Sequence, residues 1–276
     1  MKSILAALML ALLTGCVSTP FIDRSLSAKG QSSRVKFIIV HYTVSDLPQS
    51  IKILTEQTVS SHYLLTDEAD PKIYQLVDET RQANHAGVSN WKNYTLLNGS
   101  SVGIEIVNKG FTEGPNGRVW YPFPQAQIDK LIVLMKQIAE RHGVPPENVL
   151  GHSDIAPQRK QDPGPMFPWH QLAPHGLVKW PDAAKVSAAR LVFEQQLPDA
   201  AWFQKRLAVH GYAVPQTGVY DEATRNVISA FQMKYRPVVI DGVADIETAA
   251  LLDALTAPEP VPAPVPAPAP VPAPAT

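Results

Sequence analysis

Two histidines and an aspartate in this chain have the residue types of an open metal site. His41 ends an apolar run, whereas His152 and Asp162 share one polar, proline-rich loop between Gly151 and Gly164. Two imidazoles and one carboxylate supply three ligands and leave the fourth position of a tetrahedral ion to water, as in catalytic zinc sites. A lone histidine such as His41 is more often a half-buried structural residue, so spacing alone makes this site a hypothesis.

Two further residues have the chemistry to act on an amide beside such a metal. Glu105 lies in an apolar strand on the face opposite Ile104 and Ile106, where a charged carboxylate is costly without a partner. It is either an edge glutamate or a proton-transferring base. Lys160, two residues before Asp162, is either a solvated loop lysine or a group that stabilises an oxyanion. The residues alone predict metal-assisted amide hydrolysis and no narrower reaction.

Strands interleaved with helices are predicted to position these residues. The segment 35–40 is apolar on both faces, which is typical of a strand buried inside a sheet. Other strands are predicted at 61–65, 72–77 and 102–107, and helices at 45–55 and 128–139. This order predicts an α/β fold with a mixed central sheet flanked by helices.

The C-terminal part of the chain contains an internal echo. Phe203-Gln204 is matched by Phe231-Gln232, and each copy adds a glycine turn, an acidic residue near a helix start and an apolar helix. We therefore expect a small all-helical domain that resembles the peptidoglycan-binding module of wall hydrolases, with a generic helical bundle as the alternative. The predicted organisation is a signal peptide at 1–16, a linker at 17–33, a catalytic domain at 34–180, a linker at 181–197, the helical domain at 198–256 and a Pro/Ala-rich disordered tail at 257–276.

The amino-terminal residues predict a lipid anchor. A lysine is followed by a short apolar run that suits a secretory signal and is too short to span a bilayer. The run ends in Leu13-Thr14-Gly15-Cys16, which resembles the lipobox of bacterial lipoproteins and makes Cys16 the lipidated residue. A plain secretory signal with an incidental cysteine is the alternative. Val17 stands where an aspartate would resemble the inner-membrane retention signal, so we expect the outer membrane of a Gram-negative bacterium, facing the periplasm.

Composition narrows the remaining classes of function. The 24 basic and 25 acidic residues nearly cancel and form no basic stripe, so nucleic-acid binding has little support. Because Cys16 is the only cysteine, no intramolecular disulfide and no thiolate zinc ligand is available. The tail at 257–276 is too rich in proline for helix or sheet, and is either a spacer or an inert end.

Five motifs occur in the order seen in the zinc N-acetylmuramoyl-L-alanine amidases related to the peptidoglycan recognition proteins and to phage T7 lysozyme. They are Val40-His41-Tyr42-Thr43, Ser61-His62-Tyr63, His85-Ala86-Gly87, Val102-Gly103-Ile104-Glu105 and the loop GHSDIAPQRKQDPG. With the lipobox and the helical domain, the chain resembles the AmiD-type outer-membrane branch of this family. The resemblance implies one zinc ion (Zn2+) on His41, His152 and Asp162, and hydrolysis of the amide between the lactyl group of N-acetylmuramic acid and L-Ala.

The resemblance also implies roles for the surrounding residues. Glu105 would accept a proton from the attacking water and pass it to the leaving amine, and Lys160 would stabilise the oxyanion. On the loop at 82–101, His85 and Trp91 are candidates for substrate contact, with a structural loop histidine as an equal alternative for His85. Of two further residues, His62 is expected to support the sheet, and Asp154 either to orient His152 or to cap a short turn.

A non-catalytic lipoprotein that binds peptidoglycan or muropeptides on the same scaffold is the main alternative function. It is disfavoured because all three ligand positions are filled and both Glu105 and Lys160 are present. A purely structural wall anchor is the third possibility. We expect a monomer whose partners are peptidoglycan, muropeptides and, through Cys16, the membrane.

Overall fold

The computed structural model describes residues 22–115 and 117–258, so Cys16, the lipobox and nearly all of the Pro/Ala-rich tail lie outside the described residues. Residues 22–32 belong to a first unit and contain neither helix nor strand. The chain from Ser33 onward forms a second, single unit. Within the described ranges, none of the helices combines the length and apolar character needed to cross a bilayer.

Strands and helices alternate through the first half of the chain, and helices dominate the second. The strands are β1 (Phe37–Tyr42), β2 (Tyr63–Leu65), β3 (Ile73–Gln75), β4 (Asn90–Trp91), β5 (Tyr94–Thr95), β6 (Ser101–Ile106), β7 (Phe111–Gly114), β8 (Gly117–Trp120) and β9 (Val149–Gly151). The α-helices are α1 (Leu47–Glu56), α2 (Gln125–His142), α3 (His152–Ile155), α4 (Trp169–Leu172), α5 (Ala183–Phe193), α6 (Ala200–His210), α7 (Glu222–Tyr235) and α8 (Ile246–Thr256).

The central sheet has the strand order β3-β2-β6-β1-β9, and only β3 runs antiparallel to its neighbour. The expected α/β class with a mixed central sheet is therefore confirmed. In this register His41 on β1 is paired with Glu105 on β6, and Val40 is paired with Gly151, the residue before His152. Because parallel strands end at the same edge of a sheet, these strands bring His41, Glu105 and His152 to its carboxyl edge.

Both faces of the sheet are covered by helices. Along β1, Ile38 and Val40 belong to one buried apolar cluster with the inner face of α2. Phe37 and Ile39 point to the other face, as alternation along a strand requires, and belong to a second cluster shared with α6, α7 and α8. We call these three helices, residues 200–256, the helical module. The helical module thus supplies the apolar layer that covers this second face of the central sheet.

The segment predicted as a linker, 181–197, contains α5. Asp182 begins this helix by accepting a hydrogen bond from the backbone N–H of Lys185. The helix then packs along α8 of the helical module. Composition indicated a linker here, whereas the segment contains a helix that packs against the helical module.

The internal echo corresponds to a repeated hydrogen-bonding unit. Gln204 Oε1 accepts from the backbone N–H of Gly218, and its Nε2 donates to the carbonyl of Val219. Gln232 makes the same two contacts with the second turn, the N–H of Gly242 and the carbonyl of Val243. Each buried glutamine therefore clamps one glycine turn against its helix, which explains why both copies contain Phe-Gln.

A tight junction joins the helical module to the loop that contains β4. The ring of Trp91 lies 5.0 Å from Tyr212 and 5.7 Å from His210, centroid to centroid. The backbone N–H of Lys92 donates to the carbonyl of Gly211 at 2.7 Å. A Cβ on Gly211 would lie 2.5 Å from the Trp91 ring, so only glycine permits this approach.

His210 at this junction predicts acid-sensitive stability. Burial lowers its pKa to about 3, and the positive charges of Lys234, Lys179 and Lys92 act in the same direction. Because the pKa in the unfolded chain is near 6.5, the unfolded state takes up the proton first and stability falls as the pH drops below 6.5. At pH 5 this one group costs about 2 kcal/mol of unfolding free energy.

The measurement is urea unfolding of the metal-free full chain at pH 7 and pH 5. Replacing His210 with Gln should remove about 2 kcal/mol of the difference between the two pH values, whereas replacing the exposed His175 with Gln should leave it unchanged. An unaltered pH difference in the His210→Gln variant would contradict the prediction.

Candidate active site

A cleft opens at the carboxyl edge of the central sheet, where three strands and one loop bring polar side chains together. His41 lies near the end of β1, Glu105 lies near the end of β6, and His152 directly follows β9. Lys160 and Asp162 reach the same cleft from the loop after α3. The polar residues that line it include His41, His85, Glu105, His152, Lys160 and Asp162.

Three atoms converge in this cleft as metal ligands would. The Nδ1 atoms of His41 and His152 are 3.0 Å apart, and Asp162 Oδ2 lies 2.9 Å from the first and 3.1 Å from the second. All three side chains are buried. Among the described residues, this is the group of histidine and acidic side chains with the spacing to hold a metal ion.

A chain of hydrogen bonds sets the tautomer of His41. The Ser101 hydroxyl donates to the carbonyl of Leu97 at 2.6 Å, so it accepts from His85 Nε2–H at 3.1 Å. The bare Nδ1 of His85 then accepts from His41 Nε2–H at 3.0 Å. Since burial lowers the pKa of His41 to about 4, the ring is neutral at pH 7. Its Nδ1 therefore presents a lone pair to the cleft.

The second imidazole is arranged in the same way. His152 Nε2–H donates to the carbonyl of Ala86 at 3.1 Å, and in this tautomer the lone pair of the ring is on Nδ1. Asp162 Oδ2, a carboxylate oxygen, adds a third acceptor atom 2.9 Å and 3.1 Å from these two Nδ1 atoms. Three lone-pair donors then face one another without a proton between them. A cation that accepts all three fits this set of donors.

Glu105 is a buried carboxylate beside these ligands that does not join them. Its Oε2 has no hydrogen-bond partner among the described residues, although the residue is only 9% exposed. Burial raises the pKa of Glu105 to about 8, with a further increase from Asp162 and an opposing effect of Lys160. A carboxylate with a free oxygen and a pKa near neutrality suits proton transfer at the cleft.

The structure separates the two residues predicted to contact substrate. His85 is at the cleft but 6% exposed, and both of its ring nitrogens are engaged with His41 and Ser101. A Cβ on Gly103 would lie 2.5 Å from the His85 ring, so the glycine of the Val-Gly-Ile-Glu motif makes room for it. Trp91 is not brought to the cleft, because it is 1% exposed and packed in the junction with the helical module.

Two other sequence predictions concern support residues. His62 Nδ1 accepts from the backbone N–H of Gly103 at 3.0 Å, so this histidine does support the sheet beside Glu105. Asp154 Oδ2 accepts from the N–H of Gly151 at 2.8 Å and thus caps the short turn, as one of its two predicted roles requires. Ser101 was missed by sequence reasoning, because a serine at the start of a strand has no signal that links it to a histidine sixteen residues away.

Two protein-family models match the chain. The N-acetylmuramoyl-L-alanine amidase family matches residues 31–165, which contain every residue of the cleft described above. A peptidoglycan binding domain family matches residues 196–252, which cover most of the helical module.

Curated and solved proteins agree with these matches. The chain is 42% identical over 240 residues to the N-acetylmuramoyl-L-alanine amidase AmiD of Escherichia coli K12, which covers 85% of this chain and 87% of that protein. The structure of E. coli AmiD with the substrate anhydro-N-acetylmuramic acid-L-Ala-D-gamma-Glu-L-Lys has a TM-score of 0.78 and covers 85% of this chain and 93% of the other. AmpDh3 of Pseudomonas aeruginosa has a TM-score of 0.80 at 38% identity, covering 86% and 98%.

Proposed function

The chain belongs to the N-acetylmuramoyl-L-alanine amidase family, and we propose that its cleft hydrolyses the amide between the lactyl group of N-acetylmuramic acid and L-Ala in peptidoglycan and muropeptides. The family resemblance of the sequence motifs is confirmed. The observation that carries the proposal is the set of three lone-pair donors on His41, His152 and Asp162, with the carboxylate of Glu105 beside it, whose Oε2 has no partner among the described residues. A binding-only protein would have no need of that carboxylate.

The residues of the cleft divide the chemistry between them. His41, His152 and Asp162 would hold one zinc ion, which when bound polarises a carbonyl and lowers the pKa of water. Glu105 accepts the proton of the attacking water on its free oxygen and returns it to the leaving amine of L-Ala. Lys160 is half-buried at the cleft wall and provides positive charge where the carbonyl oxygen becomes negative.

The identity of the bond is supported by the relatives. E. coli AmiD is described in complex with anhydro-N-acetylmuramic acid-L-Ala-D-gamma-Glu-L-Lys, and AmpDh3 with an anhydromuramic pentapeptide. Both molecules contain a muramic acid moiety and a stem peptide. We therefore propose muropeptides and peptidoglycan as the substrates of this chain and a monomer as its working form.

We propose that the chain is tethered where this polymer lies. The support is the lipobox-like sequence ending at Cys16, which lies outside the described residues. Acyl chains on one cysteine partition into lipid at about 0.8 kcal/mol per buried methylene, which is enough for firm anchoring when several chains are attached. With Val17 after the cysteine, the proposed location is the outer membrane, facing the periplasm.

The test is mass spectrometry of the products from purified sacculi and from anhydro-muropeptides treated with the zinc-loaded full chain. We expect stem peptides with a free L-Ala amino terminus, and sugars that have lost their peptide. Binding to sacculi without release of peptide would support the binding-only alternative and overturn the proposal. Cleavage at a bond within the peptide would overturn it as well.

A further inference from the structure

A buried ion pair joins the helical module to the loop that carries His152. Lys234 lies on α7, and its Nζ donates to Asp154 Oδ2 at 2.9 Å and to the carbonyl of Val149 at 3.0 Å. The two charged side chains are only 3% and 1% exposed. The same Nζ sits 4.4 Å from the ring centroid of Trp169. Lys234 of the helical module is thus enclosed by residues 149–169, which lie outside the module.

A second residue of the helical module binds the same carboxylate. The hydroxyl of Tyr212 donates to Asp154 Oδ1 at 2.6 Å, and this tyrosine is 3% exposed. The backbone N–H of Gly151 donates to Oδ2 from within the loop. Asp154 therefore has three donors, two of which come from the helical module, and both of its oxygens are satisfied.

These contacts bracket His152 in the sequence. Val149 starts β9, three residues before the histidine, and Asp154 lies two residues after it in α3. Lys234 holds both positions at once. The backbone that aims His152 Nδ1 into the cleft is therefore fixed from both sides by one side chain of the helical module.

A stabilising role alone does not account for this arrangement. Desolvation of two charges offsets much of their attraction, so a buried ion pair is often no more stable than apolar residues of similar size. Such a pair does fix the position of α3 relative to α7, because Asp154 accepts hydrogen bonds only when its donors lie at hydrogen-bonding distance. Lys234 is also buried too deeply to contact a polymer at the surface.

We propose that the helical module is a structural part of the metal site, with Lys234 and Tyr212 as positioning residues that hold Asp154 and thereby aim His152. The inference rests on the metal role proposed for His152. In this proposal the helical module positions a metal ligand, in addition to any contact that it makes with the cell wall.

The experiment compares full-length variants for zinc affinity and for activity. Lys234→Met keeps the apolar stem and removes the charge, and Tyr212→Phe removes one hydroxyl. The matched control is Lys179→Met, because Lys179 Nζ also crosses to the helical module, to the carbonyl of Leu255 at 2.8 Å, without touching the His152 loop. Zinc affinity is measured on metal-free protein by competition with a chelating dye, and activity by peptide release at increasing zinc.

Loss of a partner that hydrogen-bonds directly to a metal ligand typically costs 10- to 100-fold in metal affinity. Lys234 acts one residue further out, through Asp154 and the carbonyl of Val149. We expect a loss at the lower end of that range for Lys234→Met and a smaller one for Tyr212→Phe. Both variants should need more zinc for half-maximal activity, whereas Lys179→Met should behave as the unmodified chain. The effect of Lys234→Met should shrink in an Asp154→Asn background, because the lysine acts through that carboxylate.

Zinc affinities that match the Lys179→Met control would overturn the inference, and so would additive effects of Lys234→Met and Asp154→Asn. If Lys234→Met does not fold, the milder Tyr212→Phe variant carries the test. Failure of the unmodified chain to bind zinc would contradict the proposed function instead, so the two outcomes are distinguishable.

Discussion

Replacing Glu105 with Gln should lower kcat by about 10²- to 10⁴-fold, the usual contribution of a positioned general acid or base. Glutamine has nearly the same shape but accepts no proton, so the attacking water keeps its proton and the leaving amine is not protonated. Zinc affinity should stay close to that of the unmodified chain, since Glu105 is not among the three converging ligands. A loss of kcat without loss of metal identifies the residue as the proton carrier.

The same substitution should stabilise the metal-free protein. The pKa of Glu105 is about 8 in the folded chain and near 4.5 when unfolded, so the unfolded state ionises first as the pH rises through that window and stability falls. Removing the titration should raise the unfolding free energy by about 3 kcal/mol at pH 7. Opposite changes in activity and stability are typical of a functional residue held in an unfavourable environment.

The comparison uses steady-state peptide release, dye competition for zinc and urea unfolding of the metal-free chains. Glu140→Gln is the control, because Glu140 is an exposed residue of α2, remote from the cleft. If Glu105→Gln retained full kcat, or lost zinc together with activity, Glu105 would not be the base.

The sequence predicted those parts of the cleft that come from one continuous segment with a clear residue pattern. The apolar runs at 35–40 and 102–107 predicted β1 and β6 to within two residues, and the polar loop after Gly151 predicted His152 and Asp162 as neighbours. The pairing of His41 with Glu105 is a matter of strand register. Register depends on how the faces of the sheet are buried, which the two short patterns alone do not specify.

What sequence reasoning missed depends on contacts between distant segments. The loop at 82–101 is polar, which suggested that it forms a wall of the cleft. The helical module, however, packs against Trp91 through Tyr212 and buries it. Lys234 has the spacing of the buried face of α7, three residues after Phe231, but the sequence does not indicate its partner; only the packing of α7 against α3 reveals it. The hairpins β4-β5 and β7-β8 have two to four residues per strand, too short for a periodic pattern to identify.

Replacing Asp162 with Asn should abolish tight zinc binding and lower activity by about 10³-fold or more. The metal contributes several kcal/mol of charge stabilisation in the transition state, and each 1.4 kcal/mol corresponds to a factor of ten. The variant also loses the one negative charge among the three ligands, so the loss of affinity should exceed the 10- to 100-fold that outer partners typically contribute.

The metal-free form gives a readout that separates this role from a structural one. In the unmodified chain three acceptors lie 2.9 to 3.1 Å apart, whereas the NH2 group of an amide at position 162 could donate a hydrogen bond to Nδ1 of His41 or His152 and relieve the repulsion between the acceptors. Metal-free Asp162→Asn should therefore unfold at the same temperature as the metal-free unmodified chain, or at a higher one.

Saturating zinc should stabilise only the unmodified chain, by about 2.7 kcal/mol at 100 times the Kd. Asp129→Asn, at an exposed site on α2, serves as the control. A metal-free Asp162→Asn variant that is strongly destabilised would mean that the carboxylate is a structural hydrogen-bond acceptor and not a ligand.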